Sequence, residues 1–140
     1  MAAALLDASL IVLLAIVTVT DLRSRLVPDR ALLAAAGIGL ACVIAGQPGA
    51  LTERVACALC AGGLLLAAAL ARPDGMGLGD VKLAAVLGFY LGPAVATALL
   101  VAFGAGALGG AAIMAVSGWE ARSRAIPFAP FLALGALVAL

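Results

Sequence analysis

Residues 81–116 form an almost wholly apolar run in which Lys82 is the single charge. A helix rising ~1.5 Å per residue over that run would measure roughly 54 Å, against a bilayer core of about 30 Å. The run is too long for one crossing, and Gly92-Pro93 is the natural break. Other apolar runs cover residues 3–20, 30–46 and 55–71. They are continuous, where barrel strands would alternate at period two, so they read as helices. A chain of 140 residues that is 66% hydrophobic and 11% charged has too little polar surface to be a soluble domain.

The expected fold is therefore all-α. It is a polytopic membrane bundle forming one domain over residues 1–140, with six transmembrane helices near 3–20, 30–46, 55–71, 80–91, 94–116 and 128–140. Between the first two lies a polar loop over residues 21–30. Pro28 biases Val27 away from helical geometry, and Asp29 is a candidate N-cap for the second helix. Gln47-Pro48-Gly49 reads as a turn. Pro127 and Pro130 open the last helix. No basic region precedes the first apolar run, so that run reads as a retained helix rather than a cleavable signal. Glycines at 104, 106, 109 and 110 allow close helix approach in the fifth helix. They suit either internal packing or a substrate helix, while Trp119, Phe128 and Phe131 suit interfacial anchoring.

Basic residues set the expected orientation. With six crossings, Arg23, Arg25, Arg30, Arg72, Lys82, Arg122 and Arg124 share one side, and only Arg54 lies opposite. If the short fourth helix stayed on one side, the split would fall from seven against one to five against three. The positive-inside rule favours six crossings, with both termini outside. The fourth and sixth helices, at roughly 20 Å each, would need a locally thinned bilayer or flanking residues that reach the interface. Arg23 and Arg25 could meet anionic lipid headgroups or simply fix this orientation. A net charge of +1 gives no reason to expect a nucleic-acid partner.

Two acidic residues then stand out. Asp21 follows the first apolar run, and Asp80 sits in the glycine turn Gly75-Met76-Gly77-Leu78-Gly79-Asp80-Val81-Lys82 before the fourth. An ionisable side chain at membrane depth is costly and marks a functional site by default. In the six-helix topology both lie at the cytoplasmic face. If packing brings them together, desolvation and like-charge repulsion favour a pair that holds one proton. Such a pair suits hydrolysis: one carboxylate takes a proton from water, and the protonated partner polarises a scissile carbonyl. Without histidine the chain has no imidazole for a hydroxyl or thiol triad. Gly77 and Gly79 would leave room for a substrate backbone. The bland alternative makes both residues interfacial helix caps. The dipole would favour Asp80 at a helix start but would not favour Asp21 at a helix end. On spacing alone the two readings are balanced.

Cys57-Ala58-Leu59-Cys60 has metal-pair spacing, but a structural zinc site needs four ligands, and the chain has three cysteines and no histidine. Cys42, Cys57 and Cys60 read as small buried hydrophobes. No metal or cofactor is expected.

Gly77-Leu78-Gly79-Asp80-Val81-Lys82 matches the GxGDxK signature of the prepilin peptidases, the intramembrane aspartic proteases of bacterial pilus and type II secretion systems. The segment from Asp21 to Pro28-Asp29 resembles that family's first aspartate motif, in which proline follows seven residues later and is usually succeeded by asparagine. Ile126-Pro127-Phe128-Ala129-Pro130-Phe131 resembles the segment that opens the family's last helix. The resemblance implies that Asp21 and Asp80 are catalytic, with Gly77, Gly79, Lys82, Pro28, Asp29, Pro127 and Pro130 as substrate-binding or motif residues around them. It also implies a pilin or pseudopilin precursor as substrate, engaged helix to helix among membrane lipids. Its leader would be cut at the cytoplasmic face of the inner membrane. Asp29 replaces the usual asparagine, either as a neutral swap at a cap or as added negative charge near the pair. Longer members carry an N-terminal methyltransferase segment with paired CxxC motifs. This chain opens on helix 1 and resembles the short form associated with Flp/Tad-type pili, which implies cleavage without N-methylation. The competing class is a small non-catalytic membrane subunit for assembly or transport. A transporter would more often carry charges at mid-helix and internal repeats, neither of which is seen here.

Overall fold

The structure is a computed structural model, and it describes residues 1–24, 27–71, 76–117 and 128–140. Among these residues the secondary structure is helical and contains no strand. Six α-helices follow in order: α1 (Ala2–Ser24), α2 (Asp29–Gly46), α3 (Leu51–Ala71), α4 (Leu78–Leu91), α5 (Val95–Ser117) and α6 (Ala129–Ala139). Single 3-10 turns at Pro48–Ala50 and Gly92–Ala94 precede α3 and α5.

Four stretches are long and apolar enough to cross a membrane: Ala3–Ser24, Asp29–Gly46, Pro48–Ala71 and the continuous Leu78–Val116. The last holds both α4 and α5. Gly92, with φ of 57°, breaks it at the Gly-Pro step, because only glycine adopts that left-handed conformation without strain. α6 is a shorter apolar helix, with Pro130 in its first turn, where a missing N–H costs nothing.

Three boundaries differ from the expectation. α1 runs on through Asp21 to Ser24, so Asp21 lies in a helix rather than in the following loop. Leucine and arginine are good helix formers, and no glycine or proline interrupts residues 21–24. α3 begins at Leu51 because the turn at Pro48 feeds straight into it. Pro28, not Asp29, holds the N-cap position of α2, and no side chain caps that end. The Asp29 carboxylate is turned to Lys82 instead.

Large apolar side chains of α1 and α4 fill the centre: Leu10, Leu13, Val17, Leu83 and Leu87 are all buried, with Leu65 and Leu132. Glycines let the backbones close around them. A Cβ on Gly88 would fall 2.5 Å from the Cys57 carbonyl oxygen, and one on Gly62 would fall 2.9 Å from the Ala85 Cβ. This pairing of 62 with 85 and 88 with 57–58 makes α3 and α4 an antiparallel contact. On α6, Gly135 lies flat against the Ala98 carbonyl of α5. Phe128 and Phe131 pack over Gly106 and Gly109, where an added Cβ would come within 3.1 Å of either ring. Those two glycines therefore serve internal packing, while Gly104 has open space beside it. Pro127, Trp119, Arg25, Arg72, Arg122 and Arg124 lie outside the described residues.

Candidate active site

Asp21 and Asp80 are the two buried charged residues among those described, at 5% and 8% exposure. They come from segments far apart in the chain. Asp21 sits in the last turns of α1, and Asp80 sits in the first turn of α4, where its N–H donates to the Gly77 carbonyl at 3.1 Å. Both line one cavity of about 610 Å³, together with Thr20, Ser24, Val27, Pro28, Asp29, Gly77, Leu78 and Gly79. The two carboxylates are close enough that the charge of Asp21 acts on Asp80.

Local sequence explains how each part arrives. Ser24 is one helical turn beyond Asp21, so both project to one face. Thr20 spends its hydroxyl within α1, donating to the carbonyls of Ile16 and Val17. At the start of α4 the two motif glycines differ in role. Gly79 faces Val27 so tightly that an added Cβ would lie 2.9 Å from the Val27 Cβ. It seats the segment after α1 against α4. Gly77 is exposed, and a Cβ there would stand 3.9 Å from Asp80 Oδ2. Gly77 thus borders the carboxylate with room to spare.

Lys82 and Asp29 meet at the rim. Lys82 Nζ donates to both carboxylate oxygens of Asp29, at 2.8 and 2.9 Å. The charge that Asp29 brings in place of a neutral side chain is matched by Lys82. Pro28 lines the cavity beside Asp29, whereas Pro130 belongs to α6, away from the cavity lining. Pro127 lies outside the described residues.

The sequence reading missed Tyr90. Its buried hydroxyl donates to the Ala35 carbonyl of α2 at 2.7 Å and pairs with Ser9 Oγ of α1 at 3.1 Å. A Cβ on Gly39 would lie 2.7 Å from this ring. The signal was present: a lone tyrosine in an apolar helix needs a partner for its O–H.

A protein whose described residues are helical and without strand, with stretches of membrane-crossing character and two buried carboxylates on one cavity, has the makings of an intramembrane hydrolase. The chain matches the type IV leader peptidase family over residues 8–114 and belongs to it. It is 42% identical over 71 residues to the prepilin leader peptidase/N-methyltransferase of Burkholderia pseudomallei strain 1026b, and equally so to that of strain K96243. Each match covers 48% of this chain and 22% of the relative, so the chain aligns with about a fifth of those proteins' length. No solved structure matches it.

Proposed function

We propose that this chain is an intramembrane aspartic endopeptidase that removes the leader from type IV pilin-like precursors. The observation that carries the reading is the cavity shared by Asp21 and Asp80, two buried carboxylates from opposite ends of different helices. Family membership and the prepilin leader peptidase name of the Burkholderia relatives support the substrate class.

In the proposed reaction the pair holds one proton. The ionised carboxylate removes a proton from water as the water oxygen bonds to the scissile carbonyl carbon. The protonated partner hydrogen-bonds to the carbonyl oxygen and stabilises the negative charge that develops there. Collapse breaks the C–N bond, and the departing amine takes a proton from the dyad. Burial supplies a low dielectric in which these contacts act strongly. Gly77 borders Asp80 and leaves space for an extended substrate backbone at the cleavage point.

The topology that fits has six crossings, both termini outside, and the dyad at the cytoplasmic face of the inner membrane. The basic residues support it, since the opposite side then holds Arg54 alone. Arg54 donates to the carbonyls of Phe89 and Tyr90 at the far end of α4. The substrate helix would enter from the lipid, with its polar leader reaching the cavity.

Co-expression with a type IV prepilin tests the reading. Wild-type protein converts the precursor to the faster-migrating mature form, whereas Asp21→Asn and Asp80→Asn insert normally and leave it uncut. Cleavage by either variant at the wild-type rate would remove the paired-aspartate mechanism. A wild type that binds prepilin without cutting it would mark a non-catalytic subunit.

A further inference from the structure

The two aspartates ride on different helix pairs. α1 packs chiefly against α2, and α4 chiefly against α3. Their mutual placement therefore depends on what holds the pairs in register at the cavity. There the Gly79–Val27 contact is tight and apolar. A polar tie there is the bond from Lys82 to Asp29, and each partner lies on the segment next to one aspartate. Lys82 is two residues beyond Asp80 in the first turns of α4. Asp29 opens α2, directly after the short connection that leaves α1.

Geometry separates this tie from ordinary surface charge, although exposure does not. Both carboxylate oxygens are engaged, at 2.8 and 2.9 Å, which fixes direction as well as distance. The side chains are also 54% and 61% exposed, and exposed ion pairs add little to folding stability. What such a pair can do is set the relative position of the two helix starts that it joins. Lys82 is not among the residues lining the cavity, and its ammonium is held by Asp29 at the edge.

We infer that Lys82 and Asp29 are a positioning pair that holds the α1–α2 and α3–α4 halves in register, so that Asp21 and Asp80 stand at reacting distance. This rests on the peptidase reading above. It assigns the lysine of the glycine-aspartate motif to alignment of the dyad rather than to substrate capture or membrane orientation.

The test uses the full chain in lipid nanodiscs with a type IV prepilin. Lys82→Ala and Asp29→Ala should each lower kcat about tenfold, with KM within about twofold and the melting temperature unmoved. The double alanine variant should be no slower than the worse single variant, because both remove the same contact. Exchanging the charges, Lys82→Asp with Asp29→Lys, keeps the net charge at this edge and should restore kcat to within about threefold. Multiplying losses of about a hundredfold in the double variant, with no recovery on exchange in a folded protein, would overturn the proposal.

A second arm does not need cleavage. Spin labels at Leu22 and Leu78, both exposed at 63% and 64%, report the α1–α4 distance once Cys42, Cys57 and Cys60 are replaced by alanine. Lys82→Ala should shift or broaden that distance distribution, and the exchanged pair should restore it. An unchanged distribution overturns the proposal whatever the activity. A shifted distribution in a protein that never cuts prepilin sinks the peptidase reading and leaves the register tie standing.

Discussion

The two ends of α4 are fastened to the first helix pair by opposite means. At the cavity end the tie is the exposed ion pair of Lys82 and Asp29. At the far end it is the buried Tyr90 hydroxyl, bonded to Ala35 and Ser9 and wedged over Gly39. A buried hydrogen bond on a large ring contributes to stability, because an unmet partner there is expensive. An exposed ion pair contributes almost nothing to stability but can still set a position. The molecule thus has a rigid, buried anchor at one end of α4 and an exposed polar one at the cavity end.

The largest expected effect falls on the dyad alone. Asp80→Asn and Asp21→Asn should abolish cleavage, seen as unprocessed prepilin on a gel, with the melting temperature in detergent kept or raised. Either change removes one of two like charges buried on the same cavity and so relieves their mutual repulsion. Next comes the α3–α4 crossing that supports the rigid end. Gly88→Ala puts a Cβ 2.5 Å from the Cys57 carbonyl oxygen, and it should cost about 1–3 kcal/mol of stability and lower the yield of folded protein. Tyr90→Phe should then cost about 1 kcal/mol by denaturant unfolding and leave kcat within about twofold. If it slowed catalysis as much as Lys82→Ala, the two ends would not be different in kind. The smallest effect is on salt response. Raising ionic strength from 0.1 to 1 M shortens the screening length from about 10 to 3 Å. Wild-type kcat should drift toward the Lys82→Ala rate, and the variant itself should stay flat.

Much of the fold was legible because lipid imposes strict rules on a chain. Apolar runs, the Gly92-Pro93 break and the proline before α2 placed the helices to within a few residues. The exceptions, Asp21 inside α1 and the early start of α3, came where no residue stops a helix and propagation simply continues. The candidate site was half legible. Asp21 and Asp80 are conspicuous since charge is scarce in such a chain. Gly79 was visible as a motif residue, but its role was not, because that role is a contact with Val27 from another helix pair. Asp29 was expected as a cap and serves as the partner of Lys82.

By itself the sequence determined the helices and the two carboxylates, because hydrocarbon burial and the cost of buried charge act residue by residue along the chain. Only the tertiary structure decided that α1 and α4 bring those carboxylates to one cavity, that Lys82 reaches across to Asp29, and that Tyr90 locks the opposite end. These are meetings between residues some fifty to eighty positions apart. Such meetings depend on how glycine-lined helices close against one another, a property of the assembled bundle that no local pattern encodes.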